Sequence, residues 1–307
     1  MSGFLITGGA GFIGSHLADA LLAAGHRVRV LDDFSTGRRE NLDPRCEVVV
    51  GDVADPPVAR AALAGLDGCF HLAAIASVAR SNEDWLGTHR VNQTGTIAVL
   101  EAARGARLPV VYASSAAVYG DLGGQVAREA LRPAPMTAYG ADKLGSELHA
   151  RVGWQVHGVP TLGLRFFNIY GPRQDPASPY SGVVSIFAAR IAAGETLTIH
   201  GEGTQTRDFV FVADAVAHLI GAMRHLAEAG GCEVLNVCTG HGTSVLELAH
   251  TLGRLHARTP RLHHGPARAG DIARAVGDPS EAIATLGLHA TTTLREGLAA
   301  TLAWVPA

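Results

Sequence analysis

The sequence predicts an α/β protein: a doubly wound parallel sheet of the Rossmann kind with a smaller, interleaved C-terminal α/β lobe. Three observations predict it. Short β-branched runs alternate with longer apolar-periodic stretches through the first half of the chain, the rhythm of strand–helix–strand crossovers. The first of those runs leads straight into Gly8-Gly9-Ala10-Gly11-Phe12-Ile13-Gly14, a glycine-rich turn that opens a helix. Much later, Ser114-Ser115 closes one strand and Tyr139-Gly-Ala-Asp-Lys143 lies on the helix that follows.

Taken in order, the strand candidates are 3–7, 27–32, 46–50, 68–72, 109–114 and 160–166. Helical periodicity fills the gaps near 12–24, 55–64, 86–105 and 138–157. The rhythm breaks at 172–182, where Pro, Ser and polar residues cluster. A helix near 181–193, a short strand at 197–199, the run Asp208-Phe-Val-Phe-Val, a helix over 213–228 and a strand at 233–237 follow. The remainder, 241–307, holds two or three helices joined by Pro/Gly loops. The expected division is a nucleotide-binding domain of 1–170 with 207–240, and a lobe of 171–206 with 241–307.

At 307 residues, 47% apolar and 17% charged, the chain has the make-up of a well-buried globule rather than a disordered one. A net charge of −3 and the lack of a Lys/Arg run give no footprint for nucleic acid. No apolar run reaches the roughly 20 residues of a membrane span, and Phe4-Leu5-Ile6-Thr7 reads as a strand rather than the core of a signal peptide. Cys46, Cys69, Cys232 and Cys238 lack metal-ligand spacing and are read as buried, unpaired thiols of a cytoplasmic protein. His263-His264, the one adjacent pair among 15 histidines, reads as a surface loop, and no metal is expected.

In the glycine turn, Gly8 allows the tight bend, Gly11 lets backbone approach a pyrophosphate, and Gly14 permits close helix–strand packing. The helix N-terminus offers unpaired N–H groups and a positive dipole to phosphates. The spacing is G-x-x-G-x-x-G rather than G-x-G-x-x-G. Asp32, ending the second strand, would accept hydrogen bonds from an adenosine ribose diol and repel a 2′-phosphate, which favours NAD over NADP. Arg38 and Arg39 could face such a phosphate, but as loop residues after Ser35-Thr36-Gly37 they are read as solvated. Asp52 and Val53 sit where an adenine edge would lie; the competing reading is that Asp52 or Asp55 caps the next helix.

Tyr139 and Lys143, four apart, share a helix face. A tyrosine hydroxyl titrates near about 10, too high for a base at neutral pH. A neighbouring ammonium and a positive nicotinamide ring would both favour the phenolate. Ser115, at its strand end, would bond the same substrate hydroxyl. The set suits removal of a carbinol proton while a nicotinamide takes the hydride.

These residues, together with Gly51-Asp52-Val53, His71-Leu72-Ala73-Ala74, Asn92-Gln-Thr-Gly-Thr and Ser114-Ser115-Ala116-Ala117-Val118-Tyr119-Gly, resemble the extended short-chain dehydrogenase/reductase superfamily. Leu164-Arg-Phe-Phe-Asn168-Ile-Tyr-Gly-Pro-Arg-Gln and Gly201-Glu-Gly-Thr-Gln-Thr-Arg207-Asp-Phe-Val narrow the resemblance to its nucleotide-sugar epimerases, the UDP-glucose 4-epimerase group in particular. The likeness covers residues 3–240 and thins to Arg268-Ala-Gly-Asp271 and Asp278-Pro-Ser beyond. It implies NAD as cofactor, held by Gly8, Gly11, Phe12, Ile13, Gly14, Asp32, Asp33, Asp52, Val53, Leu72, Ala73, Ala74, Asn92, Tyr139 and Lys143. It implies catalysis by Ser115, Tyr139 and Lys143 on a UDP-sugar. Asn168 would meet a diphosphate or sugar oxygen, Arg207 and Arg268 the pyrophosphate, and Asp271 a uridine ribose hydroxyl. Guanidinium forks suit phosphate oxygens.

Relatives that eliminate water carry an Asp-Glu pair after the serine or threonine, and decarboxylating relatives a glutamate in the same stretch; Ala116-Ala117 stand here. The implied reaction is therefore 4-epimerisation: oxidation at C4 to a keto sugar, turnover of the ring, and return of the hydride to its other face. A 4-ketoreductase or another epimerase of the family is the alternative, and a non-catalytic NAD-binding protein a further one. In the family, the residue seven after the pyrophosphate arginine borders the C2 substituent of the sugar. That position is Ala275, flanked by Arg274 and Val276, and its small side chain implies that N-acetyl sugars enter as well as Glc and Gal. Asp175, pointing inward, would repel a sugar carboxylate. A homodimer is implied through 86–105 and 138–157, with Val91, Thr94, Ile97, Ala98, Val99, Ala102 and Ala103 at the contact unless they face the sheet as core.

Overall fold

Seven parallel strands form the central sheet of the computed structural model, which describes residues 1–176, 182–267 and 272–305. The first half runs β1 (Gly3–Thr7), α1 (Phe12–Ala23), β2 (Arg27–Asp32), β3 (Glu47–Val50), α2 (Pro56–Leu63), β4 (Gly68–His71), α3 (Val78–Glu83), α4 (Trp85–His89), α5 (Gly95–Arg104), β5 (Val110–Ser115), α6 (Ala138–His157) and β6 (Thr161–Phe166). There follow β7 (Asn168–Tyr170), α7 (Val183–Ala192), β8 (Leu197–His200), β9 (Thr206–Arg207), β10 (Phe209–Phe211), α8 (Val212–Ala229) and β11 (Cys232–Val237). Last come β12 (Thr243–Ser244), α9 (Val245–Leu255), β13 (Leu262–Gly265), β14 (Arg274–Ala275), α10 (Ser280–Leu286) and α11 (Leu294–Trp304).

The sheet order is β11-β6-β5-β4-β1-β2-β3, every pairing parallel, so the winding reverses between β1 and β4. The crevice beyond the carboxyl ends of strands at such a reversal is where doubly wound sheets bind ligands. A strand covered on both faces should be apolar throughout rather than alternating, and β4 and β6 are buried at every position. On one face α1, α8 and α10 bring Leu17, Leu219, Met223 and Ala282 against Ile6, Phe70 and Leu162. On the other, α2 and α5 bring Leu63 and Val99 against Leu5, Leu31 and Val110. A third core outside the sheet joins α7, β8, α9 and α11 through Phe187, Leu197, Leu248 and Leu298.

The strands expected of the sheet are all present. The helix expected over 138–157 is α6, capped by the Thr137 hydroxyl, which accepts the Gly140 N–H at 3.0 Å, and closed by Gly158 in the left-handed region. The helix expected over 86–105 is present and runs without a break through α4, a π-helical turn Arg90–Thr94 and α5. Six residues of α3 are too few for a helical period to show in sequence. Within 241–307, α10 packs into the sheet core while α9 and α11 pack into the third core. His263-His264 do not lie in a loop: they are exposed positions of β13, which pairs with β8. Two adjacent polar residues give no alternation, so the strand was hidden. Cys46, Cys69 and Cys238 are buried and Cys232 half-buried, all unpaired. Ala98, Val99 and Ala103 face inward as core, which takes them off any contact face. Among the described residues, no helix is long and apolar enough to cross a membrane.

Candidate active site

The glycine turn is packed directly on the exit of β4, across the reversal point. Gly8 leaves β1 at φ 69°, and a Cβ there would stand 2.7 Å from the Ala73 backbone nitrogen. A Cβ on Gly14 would collide with the Gly8 carbonyl oxygen. Gly11 starts α1 with no side-chain cap. The N–H groups of Phe12, Ile13 and Gly14, which a helix leaves without internal partners, are therefore open to an anion.

Asp32 ends β2 beside this cradle, 7% exposed. Its carboxylate accepts the Ala10 and Phe34 N–H groups, each at 2.9 Å. Burial raises its pKa, and the two hydrogen bonds oppose that. A carboxylate has about four acceptor sites, so capacity remains for a ribose diol. Asp33 is turned away: exposed, it accepts the Ser35 N–H at 2.9 Å and the Ser35 hydroxyl at 2.6 Å in a local turn. Arg38 pairs with Asp175, and the Arg39 guanidinium lies 4.7 Å over the Phe34 ring. Asp175 is thus not a bare negative charge facing a sugar; Arg38 compensates it.

Asp52 accepts the Ala54 N–H at 2.8 Å and Arg90 Nη1 at 2.5 Å. It caps no helix, and Asp55, which does stand at the start of α2, makes no side-chain cap bond. Val53 is buried under α5. After β4, the Leu72 N–H donates to the Thr7 carbonyl at 3.1 Å and the Ala73 N–H to the Thr7 hydroxyl at 3.2 Å. His71 links the hydroxyls of Thr7 (2.8 Å) and Thr96 (3.1 Å), and burial pushes its pKa down to about 3. Ala74 is half-buried just beyond. Asn92, on the π-helical turn, uses both ends of its amide on the Ile75 backbone, accepting at 2.8 Å and donating at 3.2 Å. Its part is to shape the loop over the cradle.

Gly140 brings the remaining groups together. A Cβ there would stand 2.7 Å from the Ala117 carbonyl oxygen, so only glycine lets the start of α6 approach the turn after β5. Ser115 begins that turn and accepts the Ala117 N–H at 3.1 Å, and its hydroxyl is near enough to the Tyr139 phenol to act on its pKa. Tyr139 lies in the first turn of α6, where the helix dipole favours negative charge. Burial raises its pKa and the Ser115 hydroxyl lowers it. One turn on, Lys143 is 4% exposed with Nζ 5.8 Å from the Tyr139 ring centroid. Burial lowers its pKa to about 8. Among the described residues this ammonium has no hydrogen-bond partner. A buried amine with no hydrogen-bond partner, an uncapped glycine cradle and a carboxylate with spare acceptor sites are together the groups that fit a dinucleotide.

The residues expected to meet the substrate fall on β7, β9 and β14. Asn168 begins β7 with its side chain exposed and its N–H on the Asp208 carbonyl at 2.9 Å. Arg207 ends β9 and donates to the Thr206 and Ile272 carbonyls at 2.9 and 2.7 Å. Ala275 pairs with Arg207 in the parallel β9–β14 ladder. Its neighbours differ: Arg274 reaches outward to the Gly124 carbonyl at 2.8 Å, and Val276 is buried. Arg268 and Asp271 lie outside the described residues. Asp208, with no sequence signal beyond an acid before an apolar run, is the hub here. Wholly buried, it accepts the Thr239 N–H (2.8 Å), the Thr239 hydroxyl (2.7 Å), the Gly240 N–H (3.0 Å) and the Gly277 N–H (3.3 Å). Among the described residues, no three His, Cys, Asp or Glu side chains form a group that could hold a metal.

Residues 4–238 match the family model described as the NAD dependent epimerase/dehydratase family. Over 97% of its length the chain is 38% identical to a UDP-glucose 4-epimerase of Mycolicibacterium smegmatis, covering 96% of that protein. The UDP-glucose 4-epimerase of Thermotoga maritima, solved with UDP-glucose, superposes with a TM-score of 0.94 at 33% identity, covering 98% of both chains. The UDP-N-acetylglucosamine 4-epimerase of Methanobrevibacter ruminantium, solved with UDP-N-acetylmuramic acid, gives 0.93 at 30% identity, covering 99% of this chain and 97% of that one.

Proposed function

The chain belongs to the NAD dependent epimerase/dehydratase family, and from that premise we propose that it inverts C4 of UDP-hexoses through a transient 4-keto sugar. The single observation that carries the proposal is the convergence of Tyr139, Lys143 one turn behind it and Ser115, in a turn whose next two side chains are Ala116 and Ala117. Elimination or decarboxylation would need an acid or base there, and methyl groups transfer no proton.

When bound, NAD supplies a reversible acceptor for the C4 hydride. Tyr139 takes the C4 hydroxyl proton as phenolate and gives it back after the ring has turned. Lys143 and the N-terminus of α6 stabilise the phenolate, and Ser115 holds the reacting oxygen. Asp32 accepts the adenosine ribose hydroxyls and α1 receives the pyrophosphate. The sheet domain would hold NAD, and the UDP-sugar would lie between it and the lobe, with Asn168 and Arg207 of the sheet domain and Arg268 and Asp271 of the lobe on its diphosphate and uridine. Ala275, next to Arg207, leaves room for an N-acetyl group.

A homodimer is part of the proposal. Leu148, Val152 and Val156 recur every fourth residue on the exposed side of α6, and Ile97 is exposed on α5. An apolar stripe of this kind suits a two-helix contact with a second copy. Light scattering should give twice the chain mass. Unpaired thiols suit a reducing compartment, here the cytoplasm. The activity is tested by incubating the pure protein with UDP-galactose and no added dinucleotide. UDP-glucose should accumulate to equilibrium, and denaturing the protein should release NAD. No conversion by protein that releases NAD would overturn the proposal.

A further inference from the structure

A buried ionic network stands directly behind the catalytic groups. Tyr139, Lys143 and Glu147 follow one another at four-residue steps along one face of α6. Glu147 accepts Arg165 Nε at 2.9 Å and Nη2 at 2.7 Å, and the Ser114 hydroxyl at 2.5 Å. Arg165 also donates to the Tyr119 hydroxyl at 2.9 Å and lies 4.7 Å over the Tyr119 ring. Tyr119 in turn donates to Asn236 Oδ1 at 2.7 Å, its pKa pushed up to about 12 by burial, so it stays a donor. All five side chains are buried. Ser114 immediately precedes Ser115, and Tyr119 ends the turn that follows it.

We propose that Glu147 and Arg165 are positioning residues whose ion pair sets the register between the strand end carrying Ser115 and the helix face carrying Tyr139 and Lys143. The inference rests on the Ser115–Tyr139–Lys143 reading above. Joining α6 to β5 and β6 needs no charge: apolar residues of similar volume often serve as well or better, because a buried pair must be desolvated. What an apolar contact lacks is direction. A bidentate fork with further bonds to Ser114 and Tyr119 accepts one arrangement, and it grips the chain on both sides of Ser115. Chemistry is sensitive to that arrangement, since a displacement of about 1 Å can cost about 100-fold in rate. Among the described residues, Lys143 interacts electrostatically with Asp142 on α6 and His71 on β4.

The test compares the NAD-loaded wild type with the double variant Glu147→Leu/Arg165→Met and with Arg165→Lys. Thermal midpoint, kcat and KM for UDP-galactose are measured. So is the pH titration of tyrosinate absorbance, as a difference from Tyr139→Phe in the same background. Expected in the double variant are a held thermal midpoint, KM within about twofold, kcat down about 10- to 100-fold, and a higher Tyr139 titration midpoint, because Ser115 is displaced from beside the phenol. Arg165→Lys, which keeps the charge and loses the fork, should fall between. Unchanged kcat and Tyr139 midpoint, with or without a fall in thermal midpoint, would overturn the proposal. Should the double variant not fold, the same two readouts on Arg165→Lys decide. If the wild type turns over no UDP-sugar, the reading of its function fails, while the tyrosinate shift still decides whether the pair positions Tyr139.

Discussion

Lys143 holds its ammonium nitrogen 5.8 Å from the centroid of the Tyr139 ring, one turn along α6, in a setting that brings its pKa down to about 8. The amine is placed for a cofactor and a phenolate, at the expense of the protein alone. The unfolded lysine binds its proton up to 10.5 and the folded one only up to about 8. Between those values the unfolded state binds more protons, so stability rises with pH there, and at neutral pH the full penalty stands. That penalty is about 3 kcal/mol. Lys143→Met, freed of dinucleotide, should therefore resist urea at pH 7 better than the wild type while losing turnover. A less stable variant would contradict this.

Tyr139→Phe keeps the ring that fills the site and removes the hydroxyl. It should fold, release NAD on denaturation as the wild type does, and lose about 100- to 10,000-fold in kcat. A rate within about tenfold of wild type would remove Tyr139 as the base.

His71 should make the protein acid-sensitive. Its pKa falls from 6.5 in the unfolded chain to about 3 in the fold, so below 6.5 the unfolded state binds the extra proton. Stability is lost as pH falls through that window, by about 2.5 kcal/mol from this group by pH 4.5. In His71→Gln the fall in unfolding free energy between pH 6.5 and 4.5 should be shallower. An identical slope would mean the sensitivity lies elsewhere.

Much of this was legible in the sequence for local reasons. Strands buried on both faces are unbroken apolar runs, and Gly8, Gly11 and Gly14 stand where a Cβ meets backbone. What stayed hidden was set by which partners, local or distant, each side chain takes in the fold. An aspartate spent on a local turn, as Asp33 and Asp52 are, looks the same in sequence as one awaiting a ligand. Asp208 gathers N–H groups from Thr239, Gly240 and Gly277, which no spacing near it announces. The π-helical turn at Arg90–Thr94 alters a helix by too little to disturb its apolar period.

Ala275 offers the lever on substrate range. Because it pairs with Arg207 in the β9–β14 ladder, a tyrosine there would stand beside Arg207, which the proposed function puts against the UDP-sugar. Wild-type protein should convert UDP-GalNAc as well as UDP-galactose, and Ala275→Tyr should lose at least about 100-fold on the N-acetyl sugar alone. Equal losses on both sugars would show a general disturbance instead of a gate.

The most direct test of the central claim, that hydride leaves C4 and returns to it within one site, uses UDP-galactose carrying deuterium at C4. The pure protein is incubated with it in ordinary water without added dinucleotide, and the product is read by NMR. UDP-glucose with the deuterium still at C4 is the expected result. Product that carries solvent hydrogen at C4, or label passed to an external acceptor, would contradict it.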